Sequence, residues 1–282
     1  MKLAKHRNFQ PALSRRNNDQ KRAVCLAVNV TLMLSLLLLA TNSSALTKTN
    51  QRKGRTNARV VVRASSGQVT RTEMKAAEAR LAEMGYGTGA VDGVIDAITQ
   101  NALVAFQKWE GRRVTGRLSR DDFDSIMNAT APRARDAGYK HVEIDLDRQV
   151  LLLTDDSGAV ERILPVSSGS NKQYREKGAS GLAYTPRGRF RINAKIAGWR
   201  KSPLGLLYYP NYFSGGVAIH GNPSVPNEPE SHGCVRIPMS AAVEMYNRLP
   251  LGTIVLIYDQ RSFVSAKDWA KADKRDQDAN SH

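Results

Sequence analysis

The chain has 282 residues and 41% of them are apolar, enough for one or two domains with cores of their own. Its formal charge of +16 is unevenly spread, because residues 1–63 hold thirteen Lys or Arg against one acid, Asp19, which leaves +4 for the remainder. The basicity belongs to the leading segment, and the body lacks the cationic stripe of a nucleic-acid-binding domain, so no nucleic acid is expected as a partner.

Residues 23–40 form an apolar run behind Arg15, Arg16, Lys21 and Arg22 and ahead of Ser43-Ser44-Ala45. Positive flank, apolar stretch and small residues in that order describe a secretory signal over residues 1–45. The run is also close to the shortest helix that crosses a bilayer, so an uncleaved N-terminal membrane anchor is the alternative. Both readings place the body outside the cytoplasm, in a periplasm or cell wall. Cys25 lies in the leader, which leaves Cys234 as the sole cysteine of the exported part. Exported domains usually pair their thiols, so a lone one is either incidental or reactive. Residues 46–69 have the polar, basic composition of a linker.

Residues 70–130 carry helical periodicity. Met74, Ala77, Leu81 and Met84 share one face, and Gly85 ends the pattern. After a turn through Gly87, Gly89 and Val91-Asp92-Gly93, Thr99 is the expected cap of a second helix with Ala102, Leu103, Phe106 and Trp109 on one side and Gly111 at its end. Ser119 and Asp122 form a capping-box start for a third helix with Phe123, Ile126 and Met127 inward. The period then falls to two. Val142, Ile144 and Leu146 alternate with Glu143, Asp145 and Asp147, the pattern of a half-buried strand. Residues 150–153 and 160–166 flank Asp156-Ser157-Gly158 as a hairpin, and further strands are expected at 189–194, 217–220 and 253–258. One helix fits 240–249 with Ala242, Val243, Tyr246 and Leu249 inward. The expected fold is thus a small three-helix module followed by a mainly β sandwich or barrel over residues 140–260, with a polar tail at 261–282.

Chemistry concentrates between residues 217 and 238. His220 ends an expected strand, a loop with Pro223, Pro226 and Pro229 follows, and then comes Ser231-His232-Gly233-Cys234-Val235-Arg236. A thiol attacks as thiolate, and an imidazole can take its proton and later return it to a leaving amine. Gly233 permits a sharp turn that bares N–H groups for an oxyanion. His220, His232 and Cys234 are also three potential metal ligands, so a metal-dependent peptidase is a second reading of the same residues. A small buried cysteine without chemistry is the plain one.

Two resemblances sharpen these readings. Leu81, Gly85-Tyr86, Val91-Asp92-Gly93, Thr99, Ala102, Phe106-Gln107, Thr115-Gly116 and Leu118 resemble the peptidoglycan-binding domain that accompanies many wall enzymes. His220-Gly221 and Ser231-His232-Gly233-Cys234 resemble the signature of the L,D-transpeptidase catalytic domain of YkuD type. The run Thr185-Pro186-Arg187-Gly188-Arg189-Phe190 and the closing Gly252-Thr253-Ile254-Val255 agree with it. Arg236 stands where many members have Asn. The resemblance implies Cys234 as nucleophile and His220 as proton acceptor and donor, with the Gly221 carbonyl orienting its ring. His232, Gly233 and Cys234 would donate N–H groups to the oxyanion, and Ser231 and Arg236 would be supporting or substrate-facing. It implies peptidoglycan glycan and stem peptides as partners, and no metal or other cofactor. The implied reaction is a 3→3 cross-link or exchange of the terminal D-Ala through a thioester. Release to water, as an L,D-carboxypeptidase, and a non-catalytic wall-binding protein are the alternatives.

Overall fold

The computed structural model describes residues 67–176 and 178–262. The leader, Cys25, nearly all of the linker and all but the start of the tail lie outside the described residues.

The helical module is held by buried polar residues as much as by its core. Helix α1 (Arg71–Glu83) starts on a Thr70/Glu73 capping box and buries Met74, Ala77 and Leu81, with Met84 beyond its last turn. Its fully buried Glu78 accepts from the Asp92 and Gly93 N–H groups at 3.0 and 2.8 Å, which hangs the glycine turn from the helix. Helix α2 (Ala97–Trp109) is capped by Asp96, not Thr99. The Asp96 carboxylate accepts from the N–H groups of Ile98 and Thr99, while the Thr99 hydroxyl donates to Glu78 and to the Thr88 carbonyl in a buried position. An aspartate three residues earlier satisfies the orphan N–H groups first. Gln107 of α2 accepts from the N–H groups of Thr115 and Gly116 at 2.8 and 2.9 Å and so fixes the turn into α3 (Arg120–Asn128). The Ser119/Asp122 capping box forms as expected and Ile126 is fully buried, but Met127 is 43% exposed, since the next residue on a helix lies about 100° round.

The remainder is mainly β. Strands β1 (His141–Asp145), β2 (Val150–Thr154) and β3 (Val160–Pro165) are antiparallel neighbours. The hairpin β4 (Gln173–Glu176) and β5 (Ala179–Leu182) stands apart. Then come β6 (Gly188–Arg191), β7 (Ala194–Lys195), β8 (Trp199–Ser202), β9 (Gly205–Ser214), β10 (Val217–Asn222), β11 (Val235–Pro238), helix α4 (Met239–Arg248) and β12 (Ile254–Tyr258). One sheet has the order β3-β2-β1-β12-β6, with β12 parallel to β1. The other has the order β11-β10-β9-β7, with β8 also on β9 and β11 parallel to β10. Val142, Ile144, Leu151, Leu153, Val255 and Ile257 of the first sheet meet Phe213, Ile219, Val235 and Ile237 of the second, and α4 joins this core. The body is therefore a sandwich by architecture.

Three expectations change. All of β1 is buried, not half of it, because the outer face of its sheet is covered. Leu152 and Ile163 share a core with Leu81, Tyr86, Leu103 and Phe106 of the helical module, and Tyr86 bridges to Ile163 on the sheet's edge strand. Glu143 pairs there with His141 and with the Tyr258 hydroxyl. The expected strand at 189–194 divides: buried Ile192 separates β6 from β7, and the chain crosses from one sheet to the other. Helix α4 buries Ala241, Ala242 and Met245, followed by Leu249, while Val243 is 40% exposed.

Candidate active site

Parallel pairing of β10 with β11 builds the site. His220 lies opposite Arg236 in register, and because alternate residues share a face, Cys234 and Arg236 both lie beside His220. These three residues line one open groove of about 500 Å³. The β4–β5 hairpin contributes Tyr174 to its wall, β8 contributes Lys201, and the turn between β8 and β9 contributes Leu204.

The loop before Cys234 is tied to its own backbone. The Ser231 hydroxyl donates to the Cys234 carbonyl and accepts from the Gly233 N–H at 3.0 Å. Gly233 has φ +138°, and a Cβ there would lie 2.8 Å from the Tyr184 carbonyl oxygen, so only glycine fits. The Gly233 N–H is thus engaged. Among the described residues, the N–H groups of His232 and Cys234 meet no acceptor and remain open for an oxyanion. The His232 ring turns away to the hairpin, edge-on to Tyr174 with a 4.8 Å centroid separation and 3.5 Å from Glu176.

His220 is buried, and its Nδ1 lies 2.9 Å from the Gly221 carbonyl oxygen. A carbonyl only accepts, so Nδ1 carries the hydrogen and Nε2 of the neutral ring has a free lone pair. Gly221 must be glycine for packing: a Cβ would lie 2.6 Å from that of Ala242. Burial pushes the His220 pKa down to about 4, the Gly221 contact opposes this, and the Arg236 charge adds to it. Burial also pushes the Cys234 thiol up, against a contact with the Ala218 backbone and the pull of Arg236. Both shifts favour the uncharged forms, a thiol and a neutral imidazole, over an ion pair.

Arg236 is half-buried, and among the described residues its guanidinium has no acidic or carbonyl partner. An unpartnered guanidinium facing a groove is suited to a carboxylate. Among the described residues no three His, Cys, Asp or Glu side chains gather as a set that could hold a metal.

Sequence reasoning missed the support behind the loop. The Thr185 hydroxyl accepts from the Gly169 N–H at 2.8 Å and donates to the Gly233 carbonyl at 2.7 Å. Ser167 exchanges backbone hydrogen bonds with Arg236. Thr185 stood in a recognised run without a role. Ser167 carried no local signal, since its partner is 69 positions away.

Comparison with known families sets the class of this two-domain arrangement, the peptidoglycan transpeptidases. The L,D-transpeptidase catalytic domain model (YkuD) matches residues 139–257, and the peptidoglycan binding domain model matches residues 70–123. The solved L,D-transpeptidase of Xylanimonas cellulosilytica is 38% identical, with 68% of this chain and 94% of that chain covered and a TM-score of 0.63. The L,D-transpeptidase of Stackebrandtia nassauensis is 26% identical, covering 66% of this chain and 90% of that one, with a TM-score of 0.38. No curated protein matches. The chain belongs to the L,D-transpeptidase family.

Proposed function

We propose that the groove performs acyl transfer on peptidoglycan stem peptides, with Cys234 as the nucleophile and His220 as the base. The observation that carries this reading is that an imidazole, fixed at Nδ1 and open at Nε2, lines the same groove as a partly exposed thiol, whose Sγ lies 3.8 Å from the Gly216 carbonyl oxygen.

The Cys234 proton passes to Nε2 of His220 as Sγ bonds to the carbonyl carbon of the third stem residue. The oxyanion takes the N–H groups of His232 and Cys234, at a gain of roughly 3 kcal/mol per donor. On collapse the C–N bond breaks, His220 returns the proton to the departing D-Ala amine, and a thioester remains. The side-chain amine of a second stem attacks that thioester, gives up a proton through His220 and releases the Cys234 thiol, leaving a 3→3 cross-link. Because both groups are neutral at rest, proton transfer accompanies attack and does not precede it. Arg236 binds a stem carboxylate, and Ser231 holds the loop. The N-terminal module keeps the enzyme on glycan and raises the local substrate concentration. The 1–45 leader supports export, with removal by a signal peptidase or retention as an anchor as its two fates.

Purified, freshly reduced protein incubated with a carbapenem should gain the mass of one adduct, absent from Cys234→Ala. A wild-type protein that stays unmodified would favour a wall-binding protein without catalysis. Digestion of a tetrapeptide muropeptide then separates outcomes: a 3→3 dimer marks a transpeptidase, and a tripeptide alone marks an L,D-carboxypeptidase.

A further inference from the structure

The loop that carries Cys234 hangs on a strap, residues 166–170. The Ser231 N–H donates to the Ser168 carbonyl at 2.9 Å, and the Ser170 N–H donates to the Ser231 carbonyl at 3.0 Å. Ser167 and Arg236 exchange N–H to carbonyl bonds at 3.1 and 3.0 Å. The Ser167 hydroxyl donates to the Glu228 carbonyl at 2.7 Å and accepts from the Glu230 N–H at 3.1 Å. Both ends of the loop between Glu228 and Arg236 are therefore set by where the strap lies.

The strap is held within its own body by Gln149, whose backbone carbonyl accepts from the Val166 N–H at 2.9 Å and whose side-chain oxygen accepts from the Ser168 N–H at 2.8 Å, and it is held from the other module as well. Lys108 lies near the end of α2, is 6% exposed, and donates from Nζ to the Val166 carbonyl at 2.9 Å. An ammonium is costly to bury for one neutral acceptor. Among the described residues nothing in the module itself pairs with this Nζ, whose hydrogen bond there is to the catalytic body, and the charge that favours it is Glu228 at the start of the same loop. A lysine serving only the wall-binding module would leave its head in water.

We infer that Lys108 is a positioning residue for acyl transfer: through Val166 and the strap it fixes the His232–Cys234 donors, so the wall-binding module completes the catalytic groove and does more than tether it. This rests on the acyl-transfer reading of the groove. Donors displaced by a fraction of an ångström lose much of their effect on the transition state, while a groove that binds substrate through its walls and Arg236 is little changed.

The test uses the whole chain and three measurements on Lys108→Met and Lys108→Arg: carbapenem acylation at saturation, the concentration for half-maximal rate, and alkylation of Cys234 by iodoacetamide. Lys108→Met keeps the aliphatic stem and removes the donor. Its saturating acylation rate should fall about tenfold, with the half-saturating concentration and the alkylation rate within about twofold. Lys108→Arg, which still donates, should recover most of the loss. Acylation by Lys108→Met at the wild-type rate overturns the inference. So does a parallel loss of acylation and alkylation, or failure to fold, with no recovery in Lys108→Arg, since that pattern belongs to a purely structural lysine. A wild-type protein that alkylates but never acylates instead removes the acyl-transfer reading beneath it.

Discussion

Two buried histidines sit on opposite sides of the sandwich and differ at one nitrogen. His141, in the outer face of β1, has Nδ1 at 2.8 Å from the Tyr139 carbonyl and 2.9 Å from the Thr154 hydroxyl, and Nε2 at 3.2 Å from Glu143. His220 has the same kind of Nδ1 contact, to the Gly221 carbonyl, but among the described residues its Nε2 has no protein partner and the ring borders the groove. Burial and a carbonyl at Nδ1 thus fix a ring without giving it chemistry. What separates the two rings is a lone pair left open on the groove side, which is what an imidazole needs to take up a proton.

The largest effect should fall on the open ring. His220→Ala is expected to lower acylation by about 10²–10⁴-fold with the fold retained. His141→Ala should leave acylation within a few-fold while lowering unfolding free energy by about 2 kcal/mol, the cost of breaking a buried polar cluster. Paired acylation and urea-unfolding measurements check both, and equal loss of acylation in the two variants would erase the distinction.

The next effect concerns pH. With His220 held down to about 4, acylation should stay level as pH falls and halve only near pH 4, whereas an ordinary imidazole would halve it near 6.5. A folded pKa below the unfolded one means the unfolded chain binds the proton first, so this group lowers stability as pH falls from 6.5 toward 4. Stopped-flow acylation from pH 3.5 to 8 reads the first limb. A midpoint near 6.5 would place His220 in water and not in the packed position described.

Backbone fit comes third. Gly221→Ala puts a Cβ against Ala242 and Met239 beneath the histidine and should cost about 1–3 kcal/mol by overpacking, together with slower acylation. Arg236→Gln comes after it, raising KM for a stem donor with a free carboxylate about tenfold while kcat holds. A matching loss with an amidated donor would take the carboxylate contact away from Arg236. The smallest effect belongs to Lys108, which burial lowers to about 8 from an ordinary 10.5. Between those values the unfolded chain holds the proton that the folded chain lacks, so stability attributable to Lys108 rises with pH. The difference in unfolding free energy between wild type and Lys108→Met, read by urea titration, should therefore shift in favour of wild type from pH 8 to 10, by on the order of 1–2 kcal/mol.

Much of the molecule was legible in local pattern. The 3.6-residue period and the caps at Ser119 and Gly85 located the helices, and Asp156-Ser157-Gly158 located the hairpin. The short strands β4, β5, β8 and β11 and the ten-residue β9 were not read, because Arg-Lys-Ser or Ala-Ser-Gly-Leu carries no period of its own and β9 does not alternate cleanly, so each becomes strand only beside a partner. Glu143 and Met127 were misjudged for a related reason, since burial on a given face depends on what another element lays over it.

By itself the chain's order of residues determined the helices, the family and the residue types of the groove, since these rest on periodicity, capping and a motif written in neighbouring positions. Tertiary structure alone decided which nitrogen of His220 is open, that Ser231 occupies the Gly233 N–H, and that a lysine of the helical module reaches Val166. Those are contacts whose existence depends on which distant backbones lie within hydrogen-bond reach, and reach of about 3 Å is a property of the packed chain that no local pattern encodes.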